Sequence, residues 1–241
     1  MKWETAITNV KNGQETIRGK KLSGLIQNNT FTETIFLIWQ GRMPKSNETK
    51  MMDALLTAAI DHGTGTASAM TARIVASAKN SLHTALTAGI LAMGERHGSA
   101  IENAAKFFVA NKNNKNLAQT VKELKEKKVR LAGFGHAVLD YDERSETLLK
   151  IAKKLGFFKV TCQVAVNIEK ELNKISSKHL PLNIDGAMGA ILSDMGFDPM
   201  MMKGIFITAR VPGLVAHIYE EMTNDAGLRR LNEDEITYIG K

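Results

Sequence analysis

Apolar residues recur at helical spacing along most of the chain. The pattern is clearest after Pro44 and Ser46, two residues typical of a helix start, where one face collects Met52, Leu55, Leu56, Ala59 and Ile60. The same spacing predicts a helix at 82–93, and the capping-box sequence from Ser99 to Glu102 predicts the start of another. Similar patterns predict further helices at about 115–129, 142–155, 160–177, 186–195 and 199–223.

The amino terminus follows a different pattern. Residues 3–18 alternate between polar and apolar side chains and contain Asn12-Gly13, a strong signal for a two-residue turn between β-strands. The strands are expected at 5–8 and 15–18. Together with the helical periodicity elsewhere, this pattern predicts an all-α fold with a small amino-terminal β-hairpin.

One polar stretch bears on the domain organisation. Residues 111–116 interrupt the helical pattern and are interpreted as a solvent loop, and the sequence has neither a fixed internal repeat nor a Gly/Ser linker. We therefore expect a large helical domain built from residues 1–97 and 183–241. A small helical domain, residues 98–182, is expected to be inserted in it.

The composition narrows the class of protein. Of 241 residues, 44% are hydrophobic and 24% are charged, which is typical of a soluble globular protein and excludes general disorder. No run approaches the roughly eighteen apolar residues that cross a bilayer, and the first five residues do not resemble a secretion signal, so we expect a cytoplasmic protein. Cys162 is the single cysteine and no two histidines have helical spacing, which argues against a disulfide framework and against a metal site.

The charge balance favours anionic partners. Lys and Arg number 32 against 25 Asp and Glu, which gives a net charge of +7. Many of the lysines lie between residues 112 and 128 and are interpreted as a solvated helix face, and the few aromatic residues are not interleaved with them. Charge alone leaves nucleic acid, acidic metabolites and phosphorylated cofactors open as partners.

Three of the six histidines lie at predicted helix breaks beside glycine, namely His62, His97 and His136. Glycine allows a ligand to approach the backbone there. Alternatively, the glycines simply end helices and the histidines bind the last carbonyl groups. Three such breaks in one short helical chain favour a functional site. The remaining histidines are expected in packing, loop or interface roles: His83, His179 and His217.

The predicted helix ends give these histidines different electrostatic environments. His62 follows a carboxyl-terminal helix end, where the dipole favours imidazolium and anion binding. His97 precedes an amino-terminal end, which favours a neutral ring able to donate a hydrogen bond to an enolate. Before His136, the N–H groups of the turn Gly133-Phe134-Gly135 are candidates for contact with a phosphate or a thioester.

One carboxylate and three arginines complete the candidate chemistry. Asp185 opens a helix of small residues and is either a simple N-cap or a group that moves a proton to or from carbon. Arg210 lies in an otherwise apolar helix and therefore requires an anionic partner. Arg144 and Arg230, taken alone, are compatible with ordinary surface charges.

In their order along the chain, these segments resemble the citrate synthase superfamily. The resemblance is carried by five segments, Asp61-His62-Gly63, Arg96-His97-Gly98, Gly133-Phe134-Gly135-His136, Asn183-Ile184-Asp185 and Ala209-Arg210-Val211-Pro212-Gly213. The short length, the Asp185-Gly186 pair and the ending Arg229-Arg230-Leu231 are similar to citryl-CoA lyases and to the carboxyl-terminal module of ATP-citrate lyase.

The resemblance implies reversible cleavage of citryl-CoA to acetyl-CoA and oxaloacetate. His136 would take the proton of the tertiary hydroxyl, neutral His97 would stabilise the enolate of acetyl-CoA, and Asp185 would protonate its carbon. The free carboxylates would bind His62, Arg144, Arg210 and Arg230, and the CoA path would run along Gly133, Phe134 and Gly135. The resemblance also implies a homodimer or a higher homo-oligomer with sites shared between subunits, and a large and a small domain that close on each other around the site. It requires no metal or redox cofactor.

Three alternatives remain at this point. Citrate synthase would add hydrolysis of the thioester, and a related enzyme would use a longer acyl-CoA, as in a methylcitrate reaction. A non-catalytic helical scaffold or basic nucleic-acid binder would instead bind DNA with a steep salt dependence.

Overall fold

The computed structural model describes residues 2–95, 97–98, 100–135 and 141–240. The predicted helix-capping residue Ser99 and the candidate base His136 lie outside these ranges. The helices are α1 (Leu22–Asn28), α2 (Phe31–Gln40), α3 (Ser46–Ala58), α4 (Ala67–Ser77), α5 (Leu82–Leu91), α6 (Ala100–Ala110), α7 (Leu117–Glu126), α8 (Glu143–Leu155), α9 (Val160–Ile175), α10 (Ile184–Asp194) and α11 (Pro199–Asn224). The prediction of a helical protein is confirmed.

The amino-terminal strands form a sheet slightly larger than expected. Strands β1 (Thr8–Lys11) and β2 (Gln14–Ile17) are antiparallel, and the short strand β3 (Lys20–Lys21) pairs with β2. Asn12 and Gly13 have φ angles of 52° and 72°, as a type I′ turn requires. This two-residue turn fixes the register so that the first strand begins at Thr8, and the expected strand at 5–8 is therefore wrong.

Helix α10 lies at the centre of the larger hydrophobic core. Eight of its eleven residues are buried, and it contacts α6, α8 and α9. Gly189 permits the close approach of α6, because a Cβ atom there would lie 2.9 Å from the carbonyl oxygen of Ile101. The same core includes Met51 and Ile101, which come from the segments expected in the large and the small domain. The division at residues 98 and 182 stays a prediction.

Helices α4, α5 and α11 enclose a second hydrophobic cluster. It is built mainly from small side chains, so the helices come close together: a Cβ atom on Gly89 would lie 3.0 Å from both the Ala72 side chain and the Ser68 carbonyl. Helix α11 contributes Ile205 to the larger core and Leu214 to this cluster. It thereby carries Arg210 past the loop that follows α3. Among the described residues, no helix is long and apolar enough to cross a membrane.

Candidate active site

Five of the ten candidate residues surround one cavity of about 130 Å³. They come from the loop after α3, the loop before α6, and helices α8, α10 and α11, and they are His62, His97, Arg144, Asp185 and Arg210. The cavity therefore joins segments that are up to about 150 residues apart in sequence. Two anion-binding side chains, two imidazoles and a carboxylate in one space are suited to acid–base chemistry on a polyanionic substrate.

In the cavity lining, Arg144 links His62 to a buried carboxylate. Nη1 of Arg144 lies 3.1 Å from Nδ1 of His62, while its Nε and Nη2 donate to Asp142 at 2.9 and 3.0 Å. The Arg144 guanidinium thus bridges the Asp142 carboxylate and the His62 imidazole. The imidazolium expected from the helix end stays a prediction.

The Asp142 residue is 3% exposed, and its carboxylate also caps α8. Its Oδ2 atom accepts from the backbone N–H of Ile184, the first residue of α10, at 3.0 Å. Burial acts to raise its pKa, but hydrogen bonds and charge from Arg144, together with the Ile184 N–H, hold the pKa below its usual value. Asp142 is therefore an anion that joins the starts of α8 and α10.

The N-cap of α10 is Asn183 and not Asp185. The Asn183 side chain accepts from the Gly186 N–H at 3.1 Å, which places Asp185 within the first turn. The alternative interpretation of Asp185 as a simple N-cap is wrong. Its side chain instead lines the cavity.

The Asp185 residue is partly exposed, but its Oδ1 atom is buried and has no hydrogen-bond partner among the described residues. Burial raises the pKa of Asp185 to about 6; Arg144 and Arg210 oppose this rise and the charge of Asp142 adds to it. A carboxyl group with such a pKa exchanges its proton near neutral pH.

His97 lines the same cavity from the loop between α5 and α6. Its Nε2 atom is 2.8 Å from the hydroxyl oxygen of Ser68, a fully buried residue of α4. Burial lowers the pKa of His97, and the charges of Arg210 and His62 lower it further. The lowered pKa agrees with the prediction of a neutral ring. The expected cause was a helix end, whereas burial and nearby positive charge produce the effect.

Arg210 is 3% exposed, and the loop after α3 supplies one of its partners. Its Nε donates to the carbonyl oxygen of Ala59 at 2.8 Å, and its guanidinium lies 5.2 Å from the ring centre of Phe206. The Nη1 atom is buried without a hydrogen-bond partner in the described part of the chain. A buried guanidinium nitrogen in that state favours binding of an anion in the cavity.

Helix α11 also anchors the loop that carries His62. His217 Nε2 lies 3.0 Å from Asp61 Oδ1, and the other Asp61 oxygen accepts from the Gly63 N–H at 2.9 Å. A Cβ atom on Gly213 would lie 2.4 Å from the carbonyl oxygen of Ile60, so glycine is needed where loop and helix meet. The packing or interface role expected of His217 stays a prediction, and the structure adds its contact with Asp61.

The Gly133-Phe134-Gly135 segment crosses the start of α10. A Cβ atom on Gly133 would lie 2.8 Å from the Gly186 Cα, and Phe134 forms a β-bridge with Leu182. The Gly135 N–H donates to the Pro181 carbonyl at 2.7 Å. That N–H is therefore not available to a phosphate, and the prediction is wrong for this donor. Gly133 is required by the close crossing of two backbones, whereas Gly135 is favoured by its φ angle of 78°.

A second cavity of about 170 Å³ lies beside Phe134. Its wall is mostly apolar, with Leu131 and Leu172 among its residues, and two exposed cations, Lys125 and Arg130, also line it. An apolar wall flanked by positive charge is suited to a ligand with a hydrophobic body and anionic groups.

The other candidates lie elsewhere. Arg230 is exposed in the segment after α11 and does not line the 130 Å³ cavity. Its neighbour Arg229 is held by Glu221, which also binds Arg73. No group of acidic, histidine and cysteine side chains suited to a metal ion occurs among the described residues.

Sequence reasoning missed Ser68 and Asp142. Asp142 carries a weak signal, because an aspartate just before a predicted helix is a typical N-cap. No comparable signal marks Ser68, since its partner His97 is 29 residues away.

Comparison with known proteins identifies the family of this chain. Residues 42–231 match the family model described as the citrate synthase C-terminal domain. The citryl-CoA lyase structure from Hydrogenobacter thermophilus is 42% identical, with 99% of this chain and 95% of that chain covered and a TM-score of 0.93. Citrate synthase from Thermoplasma acidophilum, solved with carboxymethyl coenzyme A and oxaloacetate, is 25% identical, with coverages of 89% and 58% and a TM-score of 0.77.

Curated relatives include much longer proteins. The probable ATP-citrate synthase of Dictyostelium discoideum is 27% identical over 224 residues, which are 86% of this chain and 36% of that protein. The chain thus spans little more than a third of the length of the first curated relatives it matches.

Proposed function

Since the chain belongs to the citrate synthase family, we propose that it is a citryl-CoA lyase, which cleaves citryl-CoA to acetyl-CoA and oxaloacetate. The observation that carries the proposal is the similarity to the Hydrogenobacter lyase, which extends over nearly the full length of both chains. The cavity supports it with groups of the required chemistry: a carboxyl group with a pKa of about 6, an imidazole with a lowered pKa, and two arginines.

In the proposed reaction, His136 takes the proton of the tertiary hydroxyl as the carbon–carbon bond breaks. The electrons of that bond pass to the acetyl-CoA fragment as its enolate, and the hydroxyl carbon becomes the ketone of oxaloacetate. His97 donates a hydrogen bond to the enolate oxygen, and Asp185 delivers a proton to the enolate carbon. The raised pKa of Asp185 supports this role, because a protonated carboxyl group is then present near neutral pH.

The free carboxylates of the citryl group are assigned to Arg144, Arg210 and His62. Support comes from the buried Nη1 of Arg210, which an incoming carboxylate would satisfy. Arg230 is proposed to contribute from a neighbouring subunit, since in its own chain it lies outside the cavity lining.

The CoA portion is assigned to the segment formed by Gly133, Phe134 and Gly135 and to the apolar cavity beside it. That cavity adjoins Phe134, and Lys125 and Arg130 offer positive charge for phosphate groups. No metal or redox cofactor is part of this proposal.

A homodimer is proposed as the working form. Helices α4, α5 and α11 leave large apolar side chains exposed, namely Met70, Ile74, Leu91, Tyr219 and Met222. Such a surface is suited to association with a second copy. Residues 98–182 are proposed to close as a small domain over the larger one, which would keep water from the enolate.

A product assay tests the function. Supplied citryl-CoA should yield acetyl-CoA and oxaloacetate in equal amounts, without release of free CoA. Release of CoA and citrate would instead indicate citrate synthase, the alternative that the similarity to the Thermoplasma enzyme supports. Absence of both reactions, together with DNA binding that weakens steeply with salt, would favour a nucleic-acid binder. Propionyl-CoA with oxaloacetate tests the longer acyl group in the reverse direction.

A further inference from the structure

The Asp142 carboxylate uses both of its oxygens to join two parts of the site. Oδ1 accepts from the Arg144 backbone N–H at 3.2 Å and from Arg144 Nε at 2.9 Å. Oδ2 accepts from Arg144 Nη2 at 3.0 Å and from the Ile184 N–H at 3.0 Å. The side chain is 1% exposed, so water does not compete for these bonds.

We propose that Asp142 is a positioning residue, which holds Arg144 and the first turn of α10, and so Asp185, in one fixed arrangement around the substrate. The assignment of Arg144 and Asp185 to substrate rests on the proposed function. Asp142 itself does not line the cavity, so its effect is exerted through these two neighbours.

The geometry determines which part of Arg144 meets a ligand. The bidentate pair with Asp142 occupies Nε and Nη2, and this leaves Nη1 turned toward His62, another residue of the cavity lining. A planar guanidinium held on one edge presents its other edge in a fixed direction. Without the Asp142 carboxylate, Arg144 would sample several rotamers. Ordering this side chain when the substrate binds would then cost free energy and weaken binding.

Asp142 also acts by its charge on Asp185. Within the described ranges, the charged groups facing Asp185 are Arg144 and Arg210, which favour its ionised form, and Asp142, which disfavours it. Two titratable imidazoles, those of His62 and His97, line the same cavity as Asp185. Removal of the Asp142 charge should therefore shift the ionisation of Asp185 to lower pH.

Two substitutions separate position from charge. Asp142→Asn keeps the shape but removes the charge, whereas Asp142→Glu keeps the charge and displaces it by one methylene group. Asp142→Asn should raise KM for oxaloacetate about tenfold or more, because a charge-assisted contact is lost. It should also move the acidic limb of the condensation rate to lower pH. Asp142→Glu should raise KM but leave that limb in place.

Asp194→Asn is the matched control. Asp194 lies at the other end of α10 and accepts three backbone N–H bonds, from Lys159, Thr161 and Cys162, away from the cavity. Asp194→Asn should lower the free energy of unfolding, while the KM for oxaloacetate and the pH profile stay unchanged. Folded Asp142→Asn with the KM and pH profile of the wild type would overturn the proposal. If Asp142→Asn does not fold, an Asp142→Glu variant with the wild-type KM for oxaloacetate would overturn the proposal.

Calorimetric titration with oxaloacetate keeps the two proposals distinct. A wild-type chain that binds oxaloacetate but does not cleave citryl-CoA would refute the lyase function. Weaker oxaloacetate binding by the Asp142 variants, with normal binding by Asp194→Asn, would then still support the positioning role. Equal binding by all of them would contradict it.

Discussion

Nε2 of His97 lies 2.8 Å from the hydroxyl oxygen of Ser68, a side chain that is fully buried in α4. If the Ser68 hydroxyl donates, the ring proton is held on Nδ1, and that N–H is left to donate to a ligand. A serine 29 residues away along the chain would then select the tautomer that the proposed role of His97 requires.

Ser68→Ala should lower kcat for citryl-CoA cleavage about tenfold or more, because His97 loses the bond that fixes its tautomer. KM should change little, since the carboxylate-binding groups remain in place. Steady-state kinetics measure both constants. Ser193→Ala is the control, because the Ser193 hydroxyl donates to the Gly189 carbonyl within α10, and its removal should leave kcat unchanged. A wild-type kcat in Ser68→Ala would contradict the role.

Asp185→Asn should abolish turnover and change how stability depends on pH. The folded-state pKa of Asp185 is raised from 3.8 to about 6. The protonated carboxyl group therefore makes its full contribution to the free energy of unfolding below pH 4, and this contribution is lost as pH rises through 6. Asparagine does not ionise, so the variant does not lose this stability as pH rises. Relative to the wild type it should gain up to about 3 kcal/mol between pH 4 and pH 7.

Urea unfolding of both proteins at pH 4, 5.5 and 7 measures that difference. A constant offset between them would show that the Asp185 pKa is not raised by folding. Turnover by Asp185→Asn at the wild-type rate would refute its role as the proton donor.

Arg210→Lys should weaken oxaloacetate binding about a hundredfold. A lysine has no planar fork to bond Ala59 and a substrate carboxylate at the same time. Calorimetric titration gives the affinity. Arg73→Lys serves for comparison, because Arg73 bonds to Glu220 and Glu221 outside the cavity. Equal weakening in both variants would indicate a general loss of structure instead of a lost contact.

Arg230 is tested by mixing two inactive variants. If Arg230 of one subunit completes the site of the other, Arg230→Ala and Asp185→Asn homodimers should both be inactive. Refolding them together should restore about a quarter of the wild-type activity, since half of the dimers then contain one intact site. No recovery, with hybrid dimers demonstrated by differential tagging, would place Arg230 outside the shared site.

The local features of this protein could be predicted from its sequence. The i, i+3, i+4 spacing predicted α8 and α11 to within one residue at each end, and Asn12-Gly13 predicted the turn. The order of the histidine, aspartate and arginine segments indicated the family, which the comparisons confirm. These features depend on residues near one another in the chain, where periodicity and turn preferences directly report backbone conformation.

Only the tertiary structure decided how these residues act on one another. It made Asn183 the N-cap of α10 and raised the pKa of Asp185 by burial. It also paired Ser68 with His97 and tied Asp142 to both Arg144 and Ile184. Most of these relationships join segments tens of residues apart. They arise from the packing of helices, which fixes distance and burial, and neither quantity is encoded in the local pattern of polar and apolar residues.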